Sequence, residues 1–84
     1  MDQYLLRIDQ LTAQSRQFKS YEAREDMARM INPVRAIANE LSQELVECRR
    51  LRRMTSRAET LEAKLQDSLD NAEKMLMYAR LRYS

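Results

Sequence analysis

Three groups of side chains in this 84-residue chain could do chemistry: a single cysteine, several spaced carboxylates and a run of arginines. Glu59 with Glu62 and Asp67 with Asp70 are three residues apart, the spacing that puts two carboxylates on one side of a helix. Such pairs can hold a cation or share a proton. Here they lie opposite a row of leucines, where a solvated face is the simpler expectation. Cys48 stands between Leu45 and Leu51 in an apolar row and reads as a small core side chain. If it were exposed, Arg49 and Arg52 would make its thiol more acidic and reactive. Arg49, Arg50, Arg52, Arg53 and Arg57 form a basic block. Arg49, Arg53 and Arg57 repeat every fourth residue and share a helix face, and guanidinium forks suit phosphate oxygens. No aromatic residue is interleaved, so stacking on bases is unsupported.

The rest of the composition narrows the chemistry. Histidine and glycine are absent. The commonest general base, the commonest zinc ligand and the usual phosphate-cradling loop are therefore missing. One cysteine builds neither a disulfide framework nor a cysteine-rich metal site. The expectation is a non-enzyme without metal or cofactor. A lone cysteine suits a reducing compartment, so the expected location is cytoplasmic. No secretory signal is expected, because the apolar stretch from Tyr4 to Ile8 is short and broken by Arg7. No run approaches the roughly 18 apolar residues of a membrane span. A net charge of +2 implies no polyanion by itself.

The element that must position these groups is a long apolar stripe. Val34, Ala38, Leu41, Leu45, Cys48, Leu51, Met54, Ala58, Leu61, Leu65, Leu69, Ala72, Leu76, Ala79 and Tyr83 follow one another at steps of three or four residues. Leu, Ala, Glu, Arg, Gln and Met dominate, all strong helix formers. The fold class is all-α: an antiparallel helical hairpin or a three-helix, coiled-coil-like arrangement in one domain over 1–84. The first helix is expected over about 2–31, with Asp2 as cap and room for a bend near Lys19–Tyr21, where Ser20 could cap a new start. Asn32-Pro33 is the clearest boundary, since Asn caps, Pro opens helices, and the residue before Pro avoids helical angles. A second helix spans about 33–54. A third spans about 57–82, opened by a capping box at Ser56–Glu59 or continuous with the second.

The stretch from Leu65 to Tyr83 resembles the end of the short helical co-chaperones of type III secretion systems. Ala72, Glu73, Met75, Leu76, Tyr78, Arg82 and Tyr83 occupy the places of that family's Ala-Glu, apolar run and closing Arg-Tyr. Leu45–Arg50 is similar to the middle helix of some members. The likeness covers under a third of the chain, and Met1–Asn32 has no counterpart. It implies a helical hairpin that pairs with a larger helical chaperone and keeps a secreted subunit unpolymerised in the bacterial cytoplasm.

Function therefore has to be carried by surfaces. A chain this small gives a marginal core, so a protein partner or a homodimer is expected to cover part of the stripe. The expected interface is Ile37, Leu41, Leu45, Leu61, Leu65, Leu69, Leu76, Tyr78 and Tyr83. An exposed methionine near Tyr78 would mark it further. Two alternatives remain open: a dimeric hairpin binding nucleic acid through Arg49, Arg50, Arg52, Arg53 and Arg57, and a coiled-coil subunit that only self-associates.

Overall fold

The computed structural model describes residues 1–83. It consists of three helices: α1 (Asp2–Ser15), α2 (Tyr21–Leu51) and α3 (Ser56–Tyr83). The all-α expectation holds. The molecule is a rod of 48 × 17 × 16 Å, its length set by the 31 residues of α2.

Ser20 makes the first corner. Its side chain accepts a hydrogen bond from the Ala23 amide at 3.3 Å and caps α2. The turn before it is closed by Arg24, whose Nη1 donates to the carbonyls of Phe18 (2.6 Å) and Lys19 (3.0 Å). The first helix therefore stops at Ser15, not near residue 31. Asn32-Pro33 is no boundary at all, for α2 passes straight through it. Pro33 costs the helix one backbone hydrogen bond and a steric clash. That cost is outweighed by the side chains around it. Met27, Ile31, Val34, Ala38 and Leu41 are all buried on one face. A corner at Pro33 would pull half of them out of the core. Pro33 itself faces water, which can hydrate the unpaired carbonyl one turn back.

The second corner falls next to the capping box at Ser56–Glu59, so α2 and α3 are separate helices. α2 ends with the Arg53 amide donating to the Cys48 carbonyl (3.1 Å) and the Arg52 amide to the Arg49 carbonyl (3.3 Å). This is the Schellman pattern, and it needs one residue in the left-handed region. With no glycine in the chain, Arg52 takes that place at φ 55°. The cap of α3 is Thr55, one residue before the expected Ser56. Its hydroxyl accepts from the Ala58 amide at 3.1 Å and donates to Glu44 at 2.8 Å. The second bond explains the choice, because it ties the start of α3 to the side of α2.

α2 and α3 form an antiparallel hairpin, and α1 lies along one side of it. Arg35 donates to the Thr12 hydroxyl, and Met1 reaches Leu45 and Cys48 at the far end, so α1 runs antiparallel to α2. Tyr4 meets Glu62, Arg7 meets Asp70 and Glu73, and Gln14 meets Arg80, so α1 runs parallel to α3. Ile8 and Leu11 fill the space between the long helices. The resulting core takes one stripe from each helix and closes around Leu41, Leu65 and Leu69.

Candidate functional site

The core decides which of the expected interface residues can meet a partner. Leu41, Leu61, Leu65, Leu69 and Leu76 are buried in the chain's own bundle. Ile37 and Leu45 are partly buried against the same cluster. None of these seven forms an open face, which corrects the expectation that the stripe awaits another protein. The reason is α1, whose Ile8 and Leu11 cover what a two-helix hairpin would leave bare. Tyr83 is partly buried as well. Its ring meets Phe18 edge-on at 6.4 Å between centroids, and its hydroxyl donates to Asp26 at 3.2 Å. Its phenol is held above the ordinary value by partial removal from water, aided by Asp26 and opposed by Arg82. Tyr78 alone among the nine is fully available, at 63% exposure.

Tyr78 stands on an open groove between α2 and α3, on the side away from α1. Met27, Met30, Met75, Ala79, Tyr83, Asp26 and Arg82 complete its walls. The geometry follows from helix periodicity. On α3, Met75, Tyr78 and Arg82 fall at i, i+3 and i+7, just outside the core row Ala72, Leu76, Ala79. On α2, Asp26 and Met30 fall at i and i+4, just outside Met27 and Val34. Among the described residues no third helix covers this seam. Its lining is apolar and adaptable, three thioethers and two phenol rings, and Asp26 and Arg82 give its rim one charge of each sign. An exposed methionine near Tyr78 was expected from the sequence, and the structure exposes both Met75 and Met77 and sets Met75 on the groove. Met30 as its partner across the groove was not expected, because the expected break at Pro33 hid the register of α2.

The basic block does not act as one unit. Arg50 is bonded to Glu47, which holds the Glu47 carboxyl below its usual range and raises the Arg50 guanidinium. Arg57 Nε lies 3.6 Å from Glu44 on the groove side of the hairpin. Arg49, Arg52 and Arg53 cluster at the α2–α3 corner, around a shallow apolar hollow lined by Met1, Leu45, Cys48 and Met54. Cys48 is buried there, its Sγ 3.6 Å from the Thr55 hydroxyl. It packs as a core side chain. The expected five-arginine patch is thus three exposed arginines at a corner and two held by carboxylates.

Only one carboxylate of each expected pair is tied into the fold, Asp70 and Glu62, while Glu59 and Asp67 are exposed. Asp70 and Glu73 both accept from Arg7, at 2.8 and 2.5 Å, and raise its guanidinium pKa further. Glu62 accepts from the Tyr4 hydroxyl at 3.3 Å. Among the described residues no three carboxylates or thiols come together as metal ligands. No helix of the described residues is long and apolar enough to cross a membrane.

Compared with protein-family models, with curated proteins and with solved structures, the chain matches none.

Proposed function

We propose that the chain is a non-catalytic helical interaction module, and at the finer level a cytoplasmic co-chaperone of a type III secretion system. In that role it pairs with a larger helical chaperone and keeps a secreted subunit unpolymerised. One observation carries the reading. Met75, Tyr78, Arg82 and Tyr83, four of the residues in the C-terminal resemblance, line the open groove between α2 and α3. The same stretch that suggests a partner also presents an apolar surface without an intrachain cover.

The occupant is an amphipathic helix of the partner. A seam between two antiparallel helices accepts a further helix by the same ridge-in-groove packing that seats α1 on the opposite side. Methionines suit the contact, because an unbranched thioether adapts to the shape of the incoming side chains. The arginines at the α2–α3 corner support a second reading, nucleic-acid binding, since Arg49, Arg52 and Arg53 make no ion pair among the described residues.

The test is a photo-crosslinking residue placed at position 78, with a second at the exposed Lys64 as control, in the intact chain inside the producing cell. The expected result is a heterologous adduct at 78 and none at 64. The purified partner should be helical and bind the chain one to one. Met75→Ser and Tyr78→Ser should weaken that binding about tenfold or more while the helical signal and unfolding midpoint stay unchanged. Adducts between two copies of the chain would move the assignment to self-association. Binding that is insensitive to Met75 and Tyr78 would remove the groove from the mechanism.

A further inference from the structure

Away from both the groove and the corner arginines, Arg16, Arg24 and Arg35 converge on one cleft where the end of α1 meets α2. Its other walls are Thr12, Ser15, Ala28, Ile31 and Asn32, with no carboxylate among them. None of the three arginines makes an ion pair among the described residues. Arg7, Arg50 and Arg57, by contrast, all sit against carboxylates. The acids nearest in sequence do not line the cleft: Glu25 accepts from the Tyr21 hydroxyl, and Asp9 makes no ion pair among the described residues.

Two of the guanidiniums are already oriented. Arg35 Nη2 donates to the Thr12 hydroxyl at 2.6 Å, and the Thr12 hydroxyl in turn donates to the Ile8 carbonyl at 2.8 Å. Arg24 is anchored by the two turn carbonyls through Nη1 alone. A guanidinium carries five N–H donors, so each retains several. Arg16 makes no side-chain hydrogen bond among the described residues and is the adjustable member. Three like charges held together without a counter-charge repel one another, and a bound dianion relieves that repulsion. Guanidinium forks also match the oxygens of a tetrahedral oxyanion geometrically.

We infer that the cleft between α1 and α2 formed by Arg16, Arg24 and Arg35, with Thr12 and Asn32, binds the phosphate group of a small phosphate monoester. A monoester or free phosphate is a compact dianion that three guanidiniums can surround. The phosphodiester of a nucleic acid carries one charge and needs a longer track than this cleft offers. The site is independent of the protein-binding groove, which lies on the other side of the hairpin.

The probes are inorganic phosphate and O-phosphoserine, titrated at constant ionic strength into the full chain while the arginine Nε–H and backbone amide resonances are followed. Saturable shifts should be confined to Arg16, Arg24, Arg35, Thr12 and Asn32. Arg16→Gln, which removes no bond of the fold, should weaken binding about tenfold. Arg53→Gln, with the same change in net charge, should leave it unaltered. Tighter binding of O-phosphoserine assigns the ester as the source, and equal binding assigns free phosphate. The inference is overturned by shifts that never saturate, by equal response at Arg49, Arg52 and Arg53, by an unaffected Arg16→Gln, or by tighter binding of a short single-stranded oligonucleotide.

Discussion

Replacing Leu69 with alanine separates the two roles that a leucine on this stripe could have. Leu69 is 0% exposed and sits on α3 between Leu65 and Ala72, also fully buried. Truncating a leucine in such a place removes its burial and leaves a cavity that the helices close only in part, a loss of about 3–4 kcal/mol. An ordinary domain of this length has about 4–13 kcal/mol of stability in all. The loss is therefore between about a quarter and all of the total, and it is read as a fall of the unfolding midpoint. With a urea dependence of about 1 kcal/mol per molar, the midpoint falls by about 3 M. The assay is urea unfolding of the isolated chain followed by circular dichroism, with no partner present. Tyr78→Ser, at the exposed groove, is the companion and should move the midpoint by less than about 0.5 M. If Leu69→Ala unfolds at the wild-type midpoint, the side chain is not in an intrachain core, and α1 does not cover the hairpin as described.

Pro33→Ala should stabilise the chain by about 1–3 kcal/mol, since it restores a backbone hydrogen bond inside α2 and removes a ring clash at a solvent-facing position; thermal unfolding measures it. Arg52→Gly should stabilise by about 1 kcal/mol in the same assay, because only the left-handed backbone at φ 55° is relieved and the side chain makes no ion pair. Alkaline pH should weaken the fold. The phenols of Tyr4 and Tyr83 are both raised above the ordinary value of a tyrosine, chiefly by partial desolvation. A raised phenol pKa means that the folded state holds the proton more tightly, so this contribution is whole below pH 10 and declines as pH rises through the folded values. Unfolding midpoints taken on either side of pH 10 should fall on the alkaline side for the wild type, and fall less for Tyr4→Phe with Tyr83→Phe.

The helical class and most core positions were legible because they depend on periodicity alone. Every stripe residue from Ala58 to Ala79 that the sequence set in a row is buried. What the sequence hid was decided by competition between local and tertiary terms. Pro33 carries the strongest local breaking signal in the chain. It is overruled because Ile31 and Val34 must stay on one face of one helix. Arg52 is neither glycine nor proline, yet the chain turns there, because the Schellman hydrogen bonds and the Thr55–Glu44 link compensate an arginine in a glycine conformation. The corner at 16–20 was foreseen only as a bend, since Ser20 announces a cap while nothing in the sequence says that Arg24 will gather the carbonyls of Phe18 and Lys19.

The same competition explains why the surface was harder to read than the core. A leucine stripe announces burial but not what buries it. The answer came from α1, a short helix whose stripe is thin and includes Ser15. Ser15 is nonetheless buried at 7% exposure, and its hydroxyl is satisfied by donating to the Thr12 carbonyl at 2.8 Å. Because α1 can spend so few apolar residues, it covers one seam of the hairpin and leaves the other open. The register of α2 against α3 then sets Met30 across from Met75 and Tyr78. In the three arginines at the end of α1 the logic is similar, since Arg16, Arg24 and Arg35 are far apart in the chain and share no motif. They meet only because the turn after Ser15 is tight enough to lay α1 back along α2. The arginine cleft is a consequence of where α1 stops, and a chain with α1 extended past Ser15 would not present it in this form.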